Sequence, residues 1–289
     1  MKRAYRISPA VAGMVLILSL PSLAAAESTG SGYFRMADNK QEYKHAVALS
    51  RESNSEPGKR EVNIYLTTHP VDPTKAIGGF DLDSGITDQL REVNGGMTRV
   101  SVNTDGSEGG MWFWVSEPSD TFNTSGYGKF SLTTNTPTRI EGSHVLAEPE
   151  DFFDKSYQFD LKFAVDVTSA DFSGDPLPAG GGEAGKAYLA YVAAVKKGDA
   201  EYLRSQLGEM AEWMMPKDNE ESTKSYIEGL RFGVPVSATV SGGWSQGERA
   251  ILKVEGKDSD GNTQRGVVLM VKDGERWKEE SKDMTTIWK

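Results

Sequence analysis

Cysteine is absent from this chain of 289 residues. Disulfides are therefore excluded, and so is lipid attachment to a cysteine that follows a leader sequence. Long apolar runs are also scarce: the stretch from Ala10 to Leu20 is far shorter than the roughly 20 residues of a transmembrane helix, and no later run reaches that length. A hydrophobic core must hold the fold, and the chain is long enough to bury one.

The N-terminal residues have the three-part pattern of an export signal. Lys2, Arg3 and Arg6 precede the apolar stretch, and the small residues Ala24–Ala26 follow it. This order predicts a cleavable signal peptide over residues 1–26. We therefore expect a bacterial protein that is exported through the secretory pathway and works in the periplasm or outside the cell.

Acidic residues outnumber basic ones by 42 to 32, which gives a net charge of −10. Proteins that bind nucleic acid neutralise phosphates with clustered lysine and arginine side chains. The charge balance of this chain therefore argues against a nucleic-acid partner. We also expect no membrane insertion once the signal has been removed.

A stretch rich in proline and glycine divides the chain, and we interpret residues 173–182 as a linker between two domains. Before it, seven short alternating segments are separated by turn residues, which predicts an all-β domain over residues 27–172, an antiparallel sandwich or open barrel. After it, helical spacing from Tyr188 to Val195 ends at Gly198, and strands follow. This order predicts an α+β domain over residues 183–289, with helices packed on a curved antiparallel sheet.

Two segments of the C-terminal part carry a resemblance to a known superfamily. Ala187–Asp199 reads AYLAYVAAVKKGD, and Asp273–Lys278 reads DGERWK. With the order of helices before strands, they resemble the cystatin-like superfamily that includes nuclear transport factor two and ketosteroid isomerase. The resemblance covers residues 183–289 and implies a cone in which a long helix lies across a curved sheet. Residues 27–172 resemble strand-rich regions of uncharacterised exported bacterial proteins, and that likeness implies no activity.

A cone of this kind can hold a small ligand between its first helix and its sheet. We expect the lining of such a site to be Tyr188, Tyr191, Trp213, Phe232, Leu252 and Leu269. The sequence supplies this apolar wall, but it supplies no convincing buried acid or base for catalysis. We therefore predict a binding protein for a small apolar ligand or a peptide, with no cofactor, rather than an enzyme.

An enzyme that uses the same cavity is the first alternative. A general base there needs a carboxylate among apolar walls, where desolvation raises its pKa. Glu279 is in phase with Trp277, and among the C-terminal strands it is the acidic residue whose phase allows it to point inward. Glu279 is therefore the candidate base.

A structural scaffold that docks a protein partner is the second alternative. Trp112 and Trp114 share one face of a strand, and Phe113 and Val115 share the other. One of these faces belongs to the core. The other is covered by a loop or the neighbouring domain, or it is an aromatic surface for sugar rings or a partner protein.

Other motif-like patterns favour ordinary structure. The serine motif at Gly243–Gly247 precedes a strand rather than a helix, and the three histidines of the chain all come before its serine. The glycine-lysine run Gly180–Lys186 lacks the hydroxyl residue that closes a phosphate-binding loop. His45 and His144 are in phase with apolar strand residues, and His69 precedes a proline, so we expect no metal site.

Overall fold

The computed structural model describes residues 28–288. The predicted signal peptide lies outside the described residues. Residues 28–288 form a ten-stranded sheet, then a group of helices, and then a five-stranded sheet completed by one strand that precedes the helices. The strand-rich character predicted for the N-terminal part is confirmed.

The first sheet contains most of the strands. They are β1 (Thr29–Met36), β2 (Asn39–Tyr43), β3 (His45–Glu52), β4 (Arg60–Thr67), β5 (Gly96–Val102), β6 (Glu108–Val115), β7 (Asp120–Thr124), β8 (Lys129–Asn135), β9 (Arg139–Phe152) and β10 (Lys155–Ser169). A 3₁₀ turn at Pro73–Lys75 and the helix α1 (Leu82–Arg91) lie between β4 and β5. Asp81 caps α1 by accepting a hydrogen bond from the backbone N–H of Asp83.

Strand β10 joins the two layers of this sheet. Along most of its length it pairs antiparallel with β1 and β9, whereas its last residues, Val167–Ser169, pair parallel with Ala48–Ser50 of β3. The prediction of a purely antiparallel domain is wrong at this pair. Strands β3 and β10 are far apart in the chain, so no tight hairpin fixes their relative direction. Over residues 28–288 the sheet does not close into a barrel.

The two layers share an aromatic core. Phe34 of β1 stacks on Phe113 of β6 with ring centroids 4.4 Å apart and lies 6.0 Å from Phe159 of β10. All three side chains are fully buried. Because side chains alternate along a strand, one face of each layer supplies this core. The arrangement is consistent with a β-sandwich.

The C-terminal part is built from helices and a second sheet. The helices are α2 (Gly182–Lys197), α3 (Ala200–Leu207), α4 (Ala211–Met214) and α5 (Glu220–Gly233). The strands are β11 (Asp175–Leu177), β12 (Ser237–Gln246), β13 (Arg249–Lys257), β14 (Thr263–Asp273) and β15 (Arg276–Ile287), paired antiparallel in that order. Gly198 ends α2 in the left-handed conformation, with φ of 72°, as its position predicts.

Part of the predicted linker is a strand. Residues Asp175–Leu177, inside the segment 173–182, pair with Gly243–Ser245 at the edge of the second sheet. Prolines are accepted at such an edge because only one side of the strand must pair. The division of the chain into two domains stays a prediction.

Within residues 28–288, no helix combines the length and the apolar character needed to cross a membrane; the longest, α2, has 16 residues.

Apolar side chains lie on both faces of the second sheet. On one face, Leu252 of β13 and Val268 of β14 are buried with Tyr188 of α2. On the opposite face, Ile251 and Leu269 are buried in a cluster that also contains aromatic side chains of the N-terminal part. The second sheet is therefore packed between its own helices and the segments that flank the first sheet.

Candidate functional site

The residues predicted to line a ligand site in the cone are not brought together. Tyr188 and Leu252 are fully buried in the layer between α2 and the second sheet, with Tyr191 half-buried beside them. Leu269 lies on the opposite face of the sheet. Trp213 of α4 and Phe232 of α5 are 76% and 88% exposed. The six side chains therefore do not form one cavity wall.

The aromatic strand β6 is covered on both faces. Phe113 belongs to the interior core, while Trp112 and Trp114 are half-buried on the face that carries α1. The Trp112 indole N–H donates to Thr121 Oγ1 at 2.7 Å. The Arg91 guanidinium lies 5.4 Å from the Trp114 ring centroid, a cation–π distance. These contacts leave little of either tryptophan face open to a partner.

Glu279 lies on the helix-covered face of the second sheet, opposite Met270, and a β-bulge follows it directly. Met270 pairs with Glu279 but Leu269 pairs with Ser281, so Glu280 is the extra residue of β15. The bulge shifts the alternation by one residue. As a result Lys282 lies on the same face as Glu279, and its Nζ donates to Glu279 Oε1 at 3.0 Å.

Glu279 is a carboxylate in apolar surroundings, as the sequence predicted for a candidate base. Its side chain is 13% exposed, and burial raises its pKa above the ordinary value, while the charge of Lys282 acts in the opposite direction. Glu279 Oε2 and Tyr188 Oη are buried and have no hydrogen-bond partner among the described residues. Burial, and then the charge of Glu279, also raises the pKa of Tyr188 and Tyr191.

A cavity lies elsewhere, on the other face of the second sheet. It has a volume of about 660 Å³ and is walled by β12, β13 and β14 on one side and by residues of β3, the loop after it and the segment after β10 on the other. We call it the inter-sheet cleft. The residues that line it include Arg51, Glu52, Asp171, Phe172, Thr239, Trp244, Lys253, Glu255, Lys257, Arg265 and Val267.

One end of the inter-sheet cleft is closed by aromatic side chains. The Phe172 ring is 5.6 Å from the Trp244 ring and 6.1 Å from the Phe80 ring. Ile251 and Leu269 are buried beneath them. This end is therefore largely apolar, with its three aromatic rings half-buried.

Arg51 holds this aromatic end in place. Its Nε donates to the Ala170 carbonyl at 3.0 Å, Nη1 to the Phe80 carbonyl at 2.9 Å, and Nη2 to the Gly79 carbonyl at 2.8 Å. The guanidinium also lies 4.0 Å from the Phe172 ring centroid. A single side chain of β3 thus ties together the two loops that cover the cleft.

Lys253 connects the two walls of the inter-sheet cleft. Its Nζ lies 3.2 Å from Glu52 Oε2, across the cleft, and 5.0 Å from the centroid of the Trp244 ring on its own sheet. Asn54 Nδ2 donates across the same gap to the Asp283 carbonyl at 3.3 Å. Polar contacts therefore bridge the walls beside the aromatic end.

The other end of the inter-sheet cleft is open and polar. Thr239, Glu255 and Lys257 are exposed there. Arg265 of β14 is paired with Glu255, its Nη2 lying 2.8 Å from Glu255 Oε2. The cleft therefore runs from an apolar, closed end to a charged, open one.

The three histidines, His45, His69 and His144, all lie within the described residues. Within residues 28–288, no group of three or more His, Asp or Glu side chains has the spacing to hold a metal ion. His144 is buried, and its Nε2 lies 2.9 Å from the Tyr127 carbonyl. Burial lowers the pKa of His144 from its ordinary value.

Sequence reasoning missed the inter-sheet cleft although one signal of it is visible. In β13 the positions Lys253, Glu255 and Lys257 alternate with buried apolar residues and so share the face opposite the helices. A polar face of this kind is usually turned to water. The wall that faces it comes from a distant part of the chain, around Arg51 and Phe172, and nothing local in the sequence indicates that contact.

No family model, no curated protein and no solved structure gives a significant match to this chain.

Proposed function

We propose that this protein binds a small amphipathic ligand in the inter-sheet cleft and acts by binding rather than by turnover. The observation that carries the proposal is the cleft itself. Its volume of about 660 Å³ falls within the range of roughly 300 to 1,000 Å³ found for small-molecule sites. Its mixed lining offers an apolar surface around Phe172 and Trp244 and polar groups at the open end.

The layer between α2 and the second sheet is a poorer site for the same function. Leu252 and Tyr188 are fully buried there and belong to the same packed cluster. Trp213 and Phe232, in contrast, are exposed to solvent. A ligand in that layer would have to displace packed side chains. In the inter-sheet cleft it would displace water, which is favourable for apolar surface.

Filling the inter-sheet cleft is expected to abolish ligand binding. Thr239→Trp places a large side chain in the open part of the cleft, at an exposed strand position where tryptophan is well tolerated. With octanoate and octanol as probes, we expect affinity to fall at least tenfold, about 1.4 kcal/mol. Titration of ¹⁵N-labelled protein, followed through the indole signal of Trp244, measures the affinity; Trp244→Phe assigns that signal among the six tryptophans.

Thr133→Trp is the matched control for this experiment. Thr133 is an exposed strand threonine on β8 that does not line the cleft. This variant is expected to bind both probes as the wild type does. Equal binding by Thr239→Trp and Thr133→Trp contradicts the proposed site.

Proton transfer by Glu279 is a second candidate function, and one observation favours it. The Glu279 carboxyl keeps one oxygen, Oε2, buried and unpartnered among the described residues, and the Tyr188 hydroxyl, whose pKa is raised by burial and then by the charge of Glu279, is unpartnered there too. A general acid or base needs a carboxyl whose pKa is shifted toward the working pH, and burial produces that shift here.

Glu279→Gln is expected to remove a pH-dependent loss of stability. Because burial raises the pKa of Glu279 in the folded protein, the folded state binds its proton more readily than the unfolded chain. The free energy of unfolding of the wild type therefore falls as pH rises from about 4 through the raised pKa. Glutamine has no charge to desolvate, so the variant gains stability relative to the wild type over this window. Urea unfolding at a series of pH values measures the difference.

Glu280→Gln is the control, since Glu280 is the adjacent exposed residue of the same strand and changes the net charge equally. We expect its pH profile of stability to run parallel to that of the wild type. A parallel profile for Glu279→Gln as well would show an ordinary carboxyl pKa and would remove the basis for an acid–base role.

A further inference from the structure

We propose that the ligand of the inter-sheet cleft is an amphipathic anion, with an apolar body at the Phe172–Trp244 end and one carboxylate or phosphate head group at Lys257. This inference rests on the proposed function and names its ligand class. Three features of the cleft support it: its length, its gradient of polarity and the balance of its charges.

The length of the cleft follows from the register of β13. Ile251, Lys253, Glu255 and Lys257 lie on one face of the strand, since side chains alternate. At about 3.3 Å per residue, Ile251 and Lys257 are about 20 Å apart along the strand. An extended small molecule can therefore contact the apolar end and the charged end at the same time.

The gradient of polarity follows from the residues that pair with Ile251 and Lys257 on the two neighbouring strands. Ile251 pairs with Leu269 and with Trp244, so the closed end is apolar on all three strands. Lys257 pairs with Ser237 and Thr263, so the open end offers hydroxyl groups and a cation. A ligand that is complementary to this side of the cleft is apolar at one end and polar at the other.

The charges of the cleft determine the sign of the head group. Three carboxylates line it, and each has a cationic partner: Glu52 has Lys253 at 3.2 Å, Glu255 has Arg265 at 2.8 Å, and Asp171 has Arg60 at 2.9 Å. No lining carboxylate is left to attract a cationic head group.

Two cations of the lining, in contrast, have no carboxylate within 4.0 Å among the described residues. Arg51 donates hydrogen bonds to three backbone carbonyls at the closed end and lies over the Phe172 ring. Lys257 is exposed at the open end, and within residues 28–288 its Nζ makes one hydrogen bond, to the Thr263 hydroxyl at 2.7 Å. Lys257 is therefore the group available to an anionic head, with further donors from the hydroxyls beside it.

Three probes with the same apolar chain test the sign of the head group: octanoate, octanol and octyltrimethylammonium, each kept below its micelle concentration. Their affinities are measured from the Trp244 indole signal of the full mature chain. We expect octanoate to bind about fivefold more tightly than octanol, the effect of one partly exposed ion pair, and the cation to bind more weakly than octanol. Octyl phosphate is expected to behave as octanoate does.

Lys257→Gln is expected to remove the preference, so that octanoate and octanol bind with equal affinity, while Lys257→Arg retains the preference. Lys272→Gln, at an exposed lysine of β14 outside the cleft, is the control and is expected to change neither affinity. If octanol or the cation binds as tightly as octanoate, the anionic ligand class is wrong and the cleft remains a binding site. If no probe shifts the Trp244 signal, both this inference and the proposed function are contradicted.

Discussion

Arg51→Met is expected to lower the free energy of unfolding by about 2 to 4 kcal/mol, because three backbone carbonyls lose a charged donor at once. Methionine keeps the apolar stem of the side chain but is shorter, so the contact of the guanidinium with the Phe172 ring is lost as well. The carbonyls of Gly79, Phe80 and Ala170 have only water as a replacement in a half-buried site. Urea unfolding followed by tryptophan fluorescence measures the change.

Arg91→Met is the matched control for Arg51→Met. Arg91 also lies over an aromatic ring, that of Trp114, but its side chain is 57% exposed and its ion pair is with exposed Asp88. Exposed pairs of this kind contribute about 0 to 1 kcal/mol. If the two variants lose equal stability, Arg51 does not hold the covering loops as described.

Leu252→Ala is expected to cost about 2 to 5 kcal/mol, the usual loss for a fully buried leucine in a well-packed layer. Leu252 is fully buried between β13 and the helices, in the same cluster as Tyr188 and Val195. The large loss follows because the removed methyl groups leave a cavity that the surrounding helices cannot fill completely. Chemical denaturation measures this change.

Leu189→Ala provides the comparison, since Leu189 lies on α2 and is 36% exposed. We expect it to change stability by less than about 1 kcal/mol. If Leu252→Ala costs no more than Leu189→Ala, the layer between α2 and the second sheet is loosely filled. That result would favour the ligand site first predicted there over the inter-sheet cleft.

Local signals in the sequence predicted where α2 ends. Gly198 ends α2, and Asp199 caps α3 by accepting a hydrogen bond from the Tyr202 backbone N–H at 3.0 Å. Both features depend on backbone conformations and side chains within a few residues, so the chain encodes them locally. Likewise, Leu252 and Lys253 lie on opposite faces of β13, as the alternation of side chains along a strand requires.

The sequence was less informative wherever distant segments meet. The bulge at Glu280 moves Lys282 onto the same face of the sheet as Glu279, whereas regular alternation would place Lys282 on the opposite face. Strands β3 and β10, which pair in parallel, are far apart in the chain. The same is true of Phe172 and Trp244, whose rings are in contact. Contacts of this kind depend on the packing of the whole fold, and periodicity within one segment does not encode them.

The proposed ligand site lies in the inter-sheet cleft. A crystal structure of residues 27–289 with 8-bromooctanoate tests this position, because the anomalous signal of bromine locates the apolar end of the probe. We predict a bromine peak beside Phe172 and Trp244, with the carboxylate near Lys257. A peak between α2 and the second sheet, near Glu279, would contradict the account and assign the site to the helix-covered layer.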